Sequence, residues 1–133
     1  MDAGAEPVAD DELLFRRIPL VWYQNGLLSH QAFAPHKVND TTGLSVSRAK
    51  LTSIHDAARG RFGRSYFIAV FRAKDLRKHG IEVVPRPLPD DRAHAEFPDL
   101  RADNRKAEET LQRQQLLVEL CTRVEGPFGE VSD

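Results

Sequence analysis

Gly43-Leu44-Ser45-Val46-Ser47-Arg48 alternates apolar and polar side chains with period two, which predicts a strand with Leu44 and Val46 on one face and Ser45 and Ser47 on the other. Tyr66-Phe67-Ile68-Ala69-Val70-Phe71 is an unbroken aromatic and β-branched run, the pattern of a central strand buried on both faces. Ala73 to His79 reads as two helical turns closed by Gly80, and Ile81 to Val84 as a further strand stopped by Pro85. That helix is too short for a parallel crossover, so its two strands should pair antiparallel or not lie side by side.

The remaining pattern is less regular. Leu13 to Val21 fits a short strand or a single helical turn that ends at Pro19, and Asn25-Gly26 signals a turn. Leu27 to Asp40 reads as mostly irregular. Thr52 or Ser53 can cap a short helix from Ile54, which Gly60 and Gly63 break. Pro85-Arg86-Pro87-Leu88-Pro89 is a rigid extended connector. Asp103 can cap a last helix reaching about Val124, with Leu111, Leu117, Val118, Cys121 and Val124 on one side and Gly126-Pro127 as its stop. These elements predict an α+β fold: a small, mainly antiparallel sheet with a C-terminal helix packed on one face. Residues 1–12 are expected as a disordered acidic leader, 13–126 as a single domain and 127–133 as a tail. Phe15, Trp22, Val46, Phe67, Ile68, Val70, Val83, Leu117 and Cys121 are the expected core.

Length and composition narrow the class. A chain of 133 residues with 41% hydrophobic and 29% charged residues suits one modest core and leaves no room for a second. The longest apolar runs are far below the roughly 20 residues that span a bilayer, so an integral membrane role is excluded. Met1 to Glu12 carries five acids and no base, the reverse of a secretory signal, and a cytoplasmic location is expected. The single cysteine, Cys121, rules out an internal disulfide and fits a small apolar helix position better than a nucleophile.

Charge changes the picture more. The whole chain has a net charge of -1, yet Ser45 to Gly80 holds nine Lys and Arg against two acids, a segment of +7 beside a remainder of -8. Such a block invites an anionic partner, a nucleic acid or an acidic protein. Arg48, Lys50, Arg59, Arg61, Arg64 and Arg72 are the candidate anion-binding residues. In Arg59-Gly-Arg-Phe-Gly-Arg-Ser-Tyr66 the arginines suit phosphates, and Phe62 and Tyr66 are shaped to stack on bases.

Motifs for other chemistry are missing. His30, His36, His55, His79 and His94 lack metal-ligand spacing, and neither a P-loop nor a Gly-x-Ser-x-Gly elbow is present. Asp90-Asp91 reads as a solvated turn rather than a catalytic acid pair. The sequence therefore calls for no metal and no cofactor, and the first functional expectation is a non-catalytic binding or accessory module. One enzymatic alternative rests on residue order: Arg16 or Arg17 on an early segment, Ser45 and Ser47 on a strand, and a late Glu96. This order resembles that of small ADP-ribosyltransferase folds. The resemblance implies a nicotinamide dinucleotide held by Arg and Ser, with the Glu supporting an oxocarbenium-like transition state. It requires those side chains to line one concave pocket, and the sequence predicts the opposite, with Glu96 set apart beyond the proline connector.

Overall fold

A computed structural model describes residues 3–59 and 64–129. Six strands form one antiparallel sheet: β1 (Leu13–Pro19), β4 (Leu44–Arg48), β5 (Tyr66–Arg72), β6 (Val84–Pro85), β7 (His94–Phe97) and β8 (Arg123–Phe128). Their order is β6-β7-β4-β1-β5-β8, so β5 and β6 are not adjacent, one of the two arrangements open to strands joined by so short a helix. A separate hairpin joins β2 (Tyr23–Gln24) to β3 (Leu27–Leu28). Its turn has positive φ at both Asn25 (54°) and Gly26 (76°), the backbone that an Asn-Gly pair adopts most readily. The helices are α1 (Ile54–Ala58), α2 (Ala73–Lys78) and α3 (Glu108–Leu120).

The period-two alternation divides the sheet into two faces. Leu14, Ile18, Val46, Ala69, Phe71, Ala95 and Phe97 join Leu76 of α2, Leu117 of α3 and Phe33 in the larger core. Phe71 sits edge-on to both Phe33 and Phe97, with ring centroids 5.5 and 6.1 Å away. On the opposite face Phe15, Ile68 and Val70 pack under Ala58, with Ile54 and Ala57 of α1 beside them. This second apolar patch covers only the β1–β5 part of the face. Over β4 and β7 the same face carries Ser45, Ser47, His94 and Glu96, and it is this polar remainder that forms a site.

Several boundaries differ from the sequence reading, each for a physical reason. The leader is not disordered up to residue 12: Val8 and Glu12 are buried, and the backbone carbonyls of Gly4, Glu6 and Pro7 accept hydrogen bonds from Arg48. The carbonyls of Asp10 and Glu12 also accept from Lys74 N and Ala73 N, satisfying donors at the start of α2. Asp103 does not cap the last helix, because its carboxylate accepts from Arg101 Nε at 3.0 Å within a short 3-10 turn, Ala102–Asn104. The last helix starts at Glu108 and ends at Leu120, not Val124. Cys121 turns extended, and Thr122 N and Oγ1 donate to Val70 O at 2.8 and 3.0 Å, which launches β8 along β5. Gly126-Pro127 therefore lies inside an edge strand, where a missing N–H is tolerated, rather than ending a helix. The strand expected at Ile81 to Val84 is reduced to Val84–Pro85, with Ile81 and Val83 buried in the approach to it. Trp22, Phe67 and Cys121 are half-buried at the margin of the larger core rather than inside it. Burial also pushes the Cys121 thiol above its ordinary value, although backbone hydrogen bonds with Val70 and Arg123 and the nearby Arg123 charge act the other way.

Candidate functional site

In an antiparallel sheet, directly opposed residues present their side chains on the same face. Phe15 opposes Ser47, Ser47 opposes His94 and Ser45 opposes Glu96, so β1, β4 and β7 bring one aromatic, two hydroxyls, an imidazole and a carboxylate onto one surface. That surface floors an open cleft of about 580 Å³. Arg17, Ser45, Ser47 and His94 line it, Thr52, Asp56 and Arg59 come from the α1 side, and Asp90 and Asp91 from the turn before β7.

Ser45 is fixed at several points. Its N–H and its Oγ lie 3.2 and 3.0 Å from Asp40 Oδ1, and its carbonyl accepts from Arg16 Nη1 at 2.8 Å. Asp40 is 2% exposed, and its other oxygen accepts from His36 N at 2.6 Å. Arg16 also reaches the Ala32 carbonyl. Burial holds its guanidinium below the ordinary arginine value, an effect that the Asp40 charge opposes and Arg17 adds to.

His94 is oriented from both sides of its ring. Nδ1 lies 3.0 Å from the Arg86 carbonyl, which can only accept, so this nitrogen carries a proton. Nε2 lies 3.2 Å from Ser45 Oγ and 4.0 Å from Glu96 Oε2. Arg86 N donates in turn to His94 O, so one residue fixes both the backbone and the ring of the histidine. The Glu96 carboxylate is turned away from the cleft: its Oε1 accepts from Thr42 Oγ1 at 2.7 Å and from Arg86 Nε at 3.3 Å.

Two arginines supply the positive charge. Arg17 donates to the Arg59 carbonyl at 2.7 Å and lies over the Tyr66 ring, 5.5 Å from its centroid. Arg59 is largely exposed, with Nη2 3.4 Å from Asp56 Oδ1. Ser53 Oγ accepts from Asp56 N at 3.0 Å, capping α1 and holding this corner in place.

The described members of the six basic residues singled out from the sequence are not brought together. Of the five that are described, Arg59 alone lines the cleft. Arg48 is fully buried, its guanidinium spent on Glu12 and three carbonyls. Lys50 lies beside Glu12 and Glu6, at 3.7 and 3.9 Å. Arg64 and Arg72 are exposed at opposite ends of the β5 segment, and Arg61 lies outside the described residues. The sequence reading missed His94 as part of a site, together with Asp90, Asp91, Asp56 and Thr52. A signal existed in His94-Ala95-Glu96-Phe97, whose alternation matches that of Ser45 to Arg48, although with four residues it was too short to stand alone.

No protein-family model, no curated protein and no solved structure matches the chain. No helix among the described residues is long and apolar enough to cross a membrane.

Proposed function

We propose that the protein binds a small phosphate-bearing molecule in the cleft above β1, β4 and β7. The observation that carries this reading is the convergence of Arg17 and Arg59 with the hydroxyls of Ser45, Ser47 and Thr52 on one concave surface. Guanidinium groups and hydroxyls are the donors that phosphate oxygens use, and a cleft shelters them from competing water. Asp56, Asp90 and Asp91 on the same lining add acceptors suited to sugar hydroxyls or amino groups, which favours a nucleotide or sugar phosphate. This reading puts a compact ligand in place of the nucleic acid or acidic protein expected from the charge block, and the engagement of Arg48 and Lys50 by acids supports the change. Calorimetric titration with a nucleoside diphosphate at physiological salt tests the reading. Saturable binding that is lost in the Arg17→Ala, Arg59→Ala double variant supports it. Tight binding of a nucleic-acid strand with a steep salt dependence, and none of the nucleotide, would replace it with the polymer reading.

A second reading, transfer chemistry on a nicotinamide dinucleotide, is favoured by one observation: Arg17, Ser45 and Ser47 line the same cleft. Against it, Glu96 is hydrogen-bonded aside to Thr42 and Arg86. Nicotinamide release from the dinucleotide, abolished by Glu96→Gln in a folded protein, is the result that this reading requires.

A further inference from the structure

We infer that the cleft also performs a group transfer on a phosphate ester, with Ser45 as nucleophile and His94 as its base. The inference rests on the phosphate-ligand reading and adds chemistry to it. A serine is activated when a base lies within hydrogen-bond reach and a third group orients that base. Here His94 Nε2 is 3.2 Å from Ser45 Oγ, and the Arg86 carbonyl, 3.0 Å from Nδ1, fixes the tautomer that leaves the Nε2 lone pair toward the serine. Both side chains line the cleft, beside the arginines proposed to receive the phosphate.

At rest the Ser45 hydroxyl donates its one proton to Asp40 Oδ1 at 3.0 Å, so the transfer to His94 requires the hydroxyl to turn from Asp40 toward Nε2. Asp40 is buried and already takes the Ser45 N–H, while its other oxygen takes His36 N. Only His94 is therefore positioned to pass a proton onward to a group in the cleft. Glu96, 4.0 Å from Nε2, supplies the negative charge that stabilises the imidazolium formed on the way.

The step balances as follows. Ser45 Oγ gives its proton to His94 Nε2 as the Oγ–P bond forms and the bond from phosphorus to the ester oxygen breaks. The His94 proton then goes to the departing alkoxide, which leaves as an alcohol. In the second half a water gives its proton to His94, its oxygen bonds to phosphorus, and the Oγ–P bond breaks with the proton returning to Ser45. The sum is hydrolysis of the ester to alcohol and phosphate, with no oxidant, reductant or metal required by the balance.

The test is covalent labelling of the full chain with a fluorophosphonate, in which Oγ displaces fluoride from phosphorus. One adduct is expected, located on Ser45 by peptide mass spectrometry and absent from Ser45→Ala. His94→Asn, which keeps a donor for the Arg86 carbonyl, should slow labelling about a hundredfold or more. An unlabelled wild-type protein overturns the inference, as does labelling whose rate is unchanged by His94→Asn or by urea unfolding. Should His94→Asn fail to fold by circular dichroism, the site of the wild-type adduct and its loss in urea decide. Nucleotide binding by wild-type protein without an adduct sinks the serine chemistry alone, whereas an adduct without nucleotide binding sinks the phosphate-ligand reading alone.

Discussion

Arg48 and Glu12 meet in a two-point ion pair, Nε to Oε1 at 2.9 Å and Nη2 to Oε2 at 2.8 Å, with the arginine 0% exposed. The pair closes a loop of 36 residues and carries the N-terminal segment onto the end of β4. The remaining guanidinium protons go to the carbonyls of Gly4, Glu6 and Pro7, so the buried cation has several partners rather than one.

Removing one side of this pair should be far more damaging than removing both. Glu12→Gln leaves a buried guanidinium without its counter-charge and is expected to cost on the order of 3 to 5 kcal/mol in urea unfolding. The Glu12→Gln, Arg48→Met double variant should recover part of that loss. A double variant as unstable as the sum of the singles would refute the coupling.

Stability should also fall in acid through Glu12. Burial raises its carboxyl, but the hydrogen bonds from Arg48 and Ala9 N and the charges of Arg48 and Lys50 outweigh it, so it lies below the ordinary glutamate value. A group depressed in the folded state contributes stability above its unfolded pKa and loses it as pH falls toward the folded one. The contribution is therefore whole at neutral pH and shrinks below about pH 4.5, the ordinary value. Thermal midpoints measured from pH 7 down to pH 3 should fall more steeply in wild type than in Glu12→Gln.

Phe71 links the two sides of the larger core through its edge contacts with Phe33 and Phe97. Phe71→Ala is expected to cost about 3 to 5 kcal/mol by denaturant unfolding, and Val70→Ala, under the smaller core, less. Equal losses would mean that the two faces of the sheet contribute alike.

At the cleft, Arg17→Ala should weaken nucleotide binding about tenfold or more while leaving the unfolding midpoint within a degree or two. The side chain is exposed and its fixed partners are the Arg59 carbonyl and the Tyr66 ring. A large loss of stability with unchanged affinity would assign Arg17 a structural role instead.

The elements read most directly from the sequence were those whose signal is local. Ser45 to Arg48 and Tyr66 to Phe71 announced themselves by alternation and by an apolar run, and both are strands of the sheet. The antiparallel sheet and its C-terminal helix followed from them. What the local pattern did not hold was partnership over distance. Arg48 looked like a surface base because its carboxylate lies 36 residues away in a segment with no periodicity of its own. His94 and Glu96 looked isolated because a four-residue strand becomes visible only through its pairing with β4. The expected divergence of Arg17, Ser45 and Glu96 failed in part for the same reason: register puts Ser45 and Glu96 on one face, and only the Thr42 and Arg86 hydrogen bonds turn the carboxylate aside.

The two outermost strands of the sheet both contain proline, Pro85 in β6 and Pro127 in β8. A proline interrupts the row of N–H groups that another extended chain would need in order to zip onto an edge. With β6 only two residues long and β8 broken near its end, the sheet terminates on both sides, and growth into a stacked ribbon of copies is discouraged at its margins. Any recognition by this protein is thereby directed away from strand addition and toward its faces, one of which holds the cleft.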